Sequence, residues 1–178
     1  MEGVGSVSRA ERPADFESYV AVRRPHLRRT AYLLTGDWDR AEDVVQDTLT
    51  RLFVHWRRAS RADDLDAYVR RMLVNAFLSE KRRPWRRERS ADELPETAYA
   101  DHSDGSDARD ELRRALADLG PSQRAVIILR YWDDLSVEQT ADALGCSTGN
   151  VKSQSARGLA HLRAALGRSD ETDPEVAR

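Results

Sequence analysis

The chain has a single cysteine, Cys146, in 178 residues. One thiol forms no intramolecular disulfide and no cysteine-based zinc site. The four histidines, His26, His55, His102 and His161, lie far apart and show no metal-ligand spacing. No apolar stretch approaches the roughly 18 residues of a spanning helix. The opening MEGVGSVSRAERPAD lacks the apolar run of a secretory signal. Glycine and proline are also scarce, at 9 and 6, whereas a turn-rich β-sandwich needs many of both. No glycine-rich phosphate cradle, metal cluster or nucleophile–base pair stands out, which argues against an enzyme and against a bound cofactor. These absences leave a helical protein expected in the cytoplasm.

Charge is abundant and segregated. Residues 15–89 carry 17 Lys/Arg against 12 Asp/Glu, residues 90–111 carry 1 against 8, and residues 112–168 carry 8 against 5. Two basic modules flanking an acidic strip suit a polyanion-binding protein better than the net charge of −2 suggests.

Periodicity gives an all-α chain of two small helical domains joined by a flexible acidic linker. Residues 1–14 read as a disordered start, 15–89 as the first domain, 90–110 as the linker, 111–167 as the second domain and 168–178 as an acidic tail. Asp15 is a plausible N-cap for a helix to Thr35, closed by Gly36, with a kink or break expected near Pro25. Asp39 with Glu42 has capping-box spacing and opens a second helix, striped by Ala41, Val44, Val45, Leu49, Leu52, Phe53 and Trp56. Its opposite face carries Asp43, Gln46, Asp47 and Thr50. After a loop from Arg57 to Asp64, a third helix from Leu65 to Arg83 is stopped by Pro84. Arg70, Arg71, Asn75, Lys81, Arg82 and Arg83 lie outside its apolar stripe, and the run KRRPWRRER makes this the most basic stretch.

The second domain reads as four helices, the last pair being LSVEQTADALGCSTGNVKSQSARGLAHL. Ser136 with Gln139 forms a capping box, Ala141 is small enough for a close crossing, and Gly145 suits a sharp turn. Ser147 caps the final helix and Val151 points back into the crossing. This is a helix-turn-helix, whose second helix presents Asn150, Lys152, Ser153, Gln154, Ala156, Arg157 and His161 outward to read a major groove. Ser147 and Thr148 at its N-terminus suit a phosphate contact. A plain helical hairpin would not need cap, glycine and valine in register.

Four motifs in order, TAYLLTGDWDRAEDVVQDTLTRLF, DAYVRRMLVNAFLSEKRR, LGPSQRAVIILRYWDDLSVEQTADALG and STGNVKSQSARGLAHL, resemble the extracytoplasmic-function sigma factors of the sigma-70 family, nearest in wording to the actinobacterial SigE-type subgroup. The resemblance implies a chain that directs core RNA polymerase to promoters. It places docking on the clamp helices of the largest polymerase subunit at Asp43, Gln46, Asp47 and Thr50, with the second domain near the flap of the second-largest subunit. It implies that Arg70, Arg71, Asn75 and Lys81 to Arg83 hold the −10 strand, while the loop Arg57 to Asp66 captures an unstacked base. That loop lacks the aromatic-glycine pattern of many members. Ser147, Thr148, Asn150, Lys152, Ser153, Gln154 and Arg157 fall to the −35 element. Many family members have an anti-sigma partner, and the free protein is expected to be a monomer. The alternative is a polymerase-independent helix-turn-helix regulator, which would leave the acidic face of the second helix and the basic third helix unexplained.

Overall fold

A computed structural model describes residues 11–80 and 107–167, and all of its regular structure among these is helical. The first group of helices is α1 (Glu11–Thr35), α2 (Trp38–Val54), the single turn α3 (Trp56–Ala59) and α4 (Leu65–Glu80). The second is α5 (Asp107–Ala117), α6 (Pro121–Tyr131), α7 (Val137–Leu144) and α8 (Thr148–Gly167).

Several boundaries differ from expectation. α1 begins at Glu11, so residues 11–14 are helical and Asp15 lies inside the helix rather than capping it. Pro25 also lies inside α1, which continues through it without a break. The second helix is capped by Asp37, whose carboxylate accepts the Arg40 N–H at 2.7 Å. Asp39 instead sits in the first turn, where its charge favours the helix dipole. The expected loop after Arg57 contains α3, and Asp107–Asp110, assigned to the linker, form the first turn of α5. The rest of that linker and the acidic tail lie outside the described residues.

Within the first group, Leu27, Ala31 and Leu34 of α1 are buried with Ala41, Val44, Val45, Leu49 and Leu52 of α2 and Val69, Leu73 and Phe77 of α4. Thr48 is buried inside the predicted stripe because its hydroxyl donates to the Val44 carbonyl at 2.7 Å, so it carries no unpaired donor inward. An aromatic corner seals one end, with Phe16 edge-on to Phe53 and to Trp56 at ring separations of 5.2 and 5.3 Å.

The second group is organised around α6, where six consecutive residues, Arg124 to Leu129, are buried. A helix turns about 100° per residue, so neighbours face different directions. Ile127 joins Leu116 and Leu162, while Val126 joins Ala141 and Val151 at the α7–α8 crossing. Ala125, Ile128 and Leu129 enter the same cluster as α1, α2 and α4, together with Leu135 and Ala143. The α6 stripe therefore serves both groups. Val74 of α4 is also fully buried in this shared core.

Candidate nucleic-acid and polymerase interfaces

The helix-turn-helix forms as its local signals require. Ser136 Oγ accepts the Gln139 N–H at 3.1 Å, and the Ser136 N–H donates back to the Gln139 side chain at 2.8 Å. α7 ends at Gly145, whose φ of 63° lies in the left-handed region that costs glycine nothing. Ser147 Oγ then accepts the Asn150 N–H at 3.2 Å, opening α8. Val151 is completely buried and Ala141 nearly so, which closes the crossing.

Opposite that seam, Ser147, Thr148, Asn150, Lys152, Ser153, Ala156, Arg157 and His161 are exposed. Gln154 is half-buried, its amide reaching toward the Asn150 side-chain oxygen at 3.5 Å. The residues expected to read a groove are thus brought together along one helix face. Gly158, which sequence reading passed over, is buried, and a Cβ there would stand 2.8 Å from Ile127 Cγ1. Glycine is what allows α8 to lie this close to α6. An isolated glycine in a helix interior was the available signal.

On α2, Asp43, Gln46, Asp47 and Thr50 are all exposed, while Val44, Val45, Thr48 and Leu49 between them are buried. Asp47 is paired with Arg51 one turn on, through both Nε at 3.1 Å and a terminal nitrogen at 3.0 Å. Gln46 donates to Glu42 at 3.0 Å, and Glu42 also takes Arg24 and Arg28 from α1. Burial acts to raise the Glu42 pKa, but the bonds from Arg24 and Gln46 and the charges of Arg24 and Arg28 overcome it and hold the carboxyl below its ordinary value. The acidic face thus rests on a carboxylate fixed to the neighbouring helix.

Arg71 and Asn75 of α4 are exposed, whereas Arg70 is half-buried. Lys81, Arg82 and Arg83 lie outside the described residues. Beside the start of α4, Val54, His55, Arg57, Arg58, Arg61, Ala62 and Tyr68 line an open cleft of about 660 Å³. Three guanidinium-bearing residues and an aromatic ring around one cleft suit a base with its phosphates.

Arg70 is not turned to solvent, because Asp133 takes it. This aspartate, on the turn between α6 and α7, lies 3.5 Å from Arg70 Nε and 3.0 Å from His26 Nε2, and accepts from the Thr30 hydroxyl at 3.3 Å. Its side chain is 2% exposed. Trp132 beside it stacks on His26 and donates its indole N–H to Thr30 Oγ1 at 3.1 Å. Arg124 makes a second bridge between the helix groups, donating to the Leu34 carbonyl at 2.8 Å and to the Ala117 and Leu119 carbonyls. Neither bridge was legible in the sequence.

Comparison with known proteins agrees with this architecture. Residues 19–87 match sigma-70 region 2 and residues 109–162 match sigma-70 region 4. The chain is 38% identical over 157 residues to the RNA polymerase sigma-E factor of Streptomyces coelicolor, covering 85% of this chain and 86% of that protein. It is 32% identical over 172 residues to the ECF RNA polymerase sigma factor SigL of Mycobacterium tuberculosis, covering 93% and 94%. Among solved structures, the sigma factor RpoE of Bartonella quintana, in complex with the anti-sigma factor NepR, superposes with a TM-score of 0.70 at 30% identity, covering 86% of this chain and 97% of that one.

Proposed function

This chain belongs to the extracytoplasmic-function sigma factors of the sigma-70 family, and from that premise we propose how its surfaces divide the work. Its function is to bring core RNA polymerase to promoters and initiate transcription. In the proposed division, Asp43, Gln46, Asp47 and Thr50 dock on the clamp helices of the largest polymerase subunit. The cleft beside Tyr68 takes an unstacked base of the −10 element, and Arg70, Arg71 and Asn75, with Lys81, Arg82 and Arg83, hold the single strand by charge. α8 enters the major groove of the −35 element with Lys152, Ser153 and Arg157 toward the bases, while Ser147 and Thr148 meet phosphate. The second domain meets the flap of the second-largest subunit. The chain acts without a catalytic centre of its own, in the cytoplasm and as a monomer until it meets polymerase. An anti-sigma protein is a further partner of the kind found with the Bartonella relative.

The observation that carries this division is the exposure of both assigned faces on helices whose other sides are buried. Every polar residue assigned to α2 and nearly every one on α8 is available to a partner without unpacking the core. Asp43→Arg with Asp47→Arg should abolish co-purification with core polymerase while helix content stays intact. Lys152→Ala with Arg157→Ala should keep polymerase binding but lose promoter-specific run-off transcription. Wild-type co-purification of the first pair would remove the docking assignment.

A further inference from the structure

The pocket between α1, α4 and the α6–α7 turn is built for an anion. His26, Thr30 and Arg70 converge on one carboxylate from two helices, and that carboxylate is almost wholly removed from water. Burying a charge is costly unless several donors replace its hydration, and here imidazole, hydroxyl and guanidinium do so together. The other charges facing this pocket are Arg23 and Asp66, with the Tyr19 phenol. Asp66 is already occupied by Arg23 and by the Tyr19 hydroxyl, which donates at 2.9 Å. The pocket therefore keeps an excess of donors for the incoming anion.

The anion comes from the other half of the chain. Asp134, next to Asp133, has φ 52°, a left-handed conformation that aspartate adopts more readily than most residues. The backbone thus turns sharply where Asp133 is delivered. Arg70, on the other side of the contact, is one of the residues assigned above to the single strand. One cation cannot serve a buried aspartate and a DNA phosphate in the same geometry.

We propose that His26, Thr30 and Arg70 form a seat for a backbone phosphate of single-stranded DNA, and that Asp133 fills this seat in the closed chain as a built-in surrogate. The inference rests on the −10 role of α4 and adds His26 and Thr30 to it. Strand and Asp133 then exclude each other from the seat, and binding of the strand removes one of the contacts that, beside Arg124 and the shared apolar core, hold the C-terminal domain on α1 and α4.

Fluorescence anisotropy of the full-length protein with a labelled thymidine single strand of about 15 nucleotides tests the exchange. Asp133→Asn preserves shape and removes the competing charge. It should tighten single-strand binding by roughly tenfold, about the worth of one charge-assisted contact. Asp133→Ser should do the same, which guards against a folding defect peculiar to asparagine, and circular dichroism melting checks both. His26→Gln with Thr30→Val breaks the same contact from the other side but removes the seat, so it should free Asp133 without tightening binding. Adding this pair to Asp133→Asn should cancel the gain, and a duplex of the same length should show none. Unchanged affinity in both folded Asp133 variants overturns the proposal, as does an equal gain on duplex or in the His26/Thr30 pair. Co-purification with core polymerase, read in parallel, depends on the α2 face, so failure of the seat and failure of the polymerase reading are told apart.

Discussion

Replacing Arg124 with methionine should cost the protein about 3 kcal/mol of unfolding free energy, from opposing effects of similar size. The side chain is 6% exposed, and burial pushes its pKa below the ordinary arginine value, with the charge of Arg40 acting in the same direction and Asp118 against it. A guanidinium nevertheless stays charged in the interior. Methionine fills much of the stem volume and relieves a desolvation cost of several kcal/mol. It also strips the donors from the Leu34 carbonyl near the end of α1, the Ala117 carbonyl at the end of α5 and the Leu119 carbonyl in the turn that follows. Each buried carbonyl left unpaired costs roughly 1–3 kcal/mol. The three carbonyls outweigh the one relieved charge because they belong to two different helix ends that no single water satisfies. Arg124→Lys should lose somewhat less, since an ammonium keeps the charge but cannot span both ends. Urea denaturation followed by circular dichroism measures all three proteins. A methionine variant within about 0.5 kcal/mol of wild type would refute the bridging role, as would a lysine variant as stable as arginine.

Gly158→Ala pits a helix-propensity gain of about 1 kcal/mol against an overpacking cost of about 1–3 kcal/mol, because the new methyl would press on Ile127 at 2.8 Å. The melting temperature should fall, and fall further for Gly158→Val; a stabilised alanine variant would contradict the close approach of α8 to α6. Glu42 has a folded pKa below its unfolded value, so its contribution is present above the unfolded pKa and is lost as pH falls through the folded one. Glu42→Gln should therefore flatten the loss of stability between about pH 5 and pH 3, measured by denaturant titration at each pH. An unchanged slope would show that Arg24 and Arg28 do not hold this carboxylate.

What the sequence disclosed follows the range of the interactions involved. The Ser136–Gln139 box, the Gly145 turn, the Ser147 cap and the buried Val151 were all legible, because each is settled within a few residues of itself. The exposed faces of α2 and α8 followed from periodicity alone. The cap of α2 was misplaced by two residues because Asp37 and Asp39 both stand before an apolar stripe, and only backbone geometry chooses between them. Arg124 reaches a carbonyl 90 residues away, and Asp133 meets His26 across 107. No local pattern distinguishes them from ordinary surface charges. The run Val126–Leu129 is apolar at sight, but the division of the buried α6 residues among three clusters depends on which helices surround them.

Pro25 makes the support of α1 uneven along its length. It has no N–H to return to the carbonyl of Ala21, and that residue is exposed, so water supplies the missing donor. The helix survives there, yet the turn contributes nothing to its own propagation and interrupts the cooperative spread of helix from Leu27 toward the N-terminus. The stretch before Pro25 therefore has to be held from outside, by Phe16 and Tyr19 against Phe53 and Trp56. Such a segment depends on the rings of α2 and α3, and it should be among the first to exchange its amide protons when that aromatic corner loosens. The beginning of the helix is thus its less protected part, and its end, packed into the shared core, the more protected one.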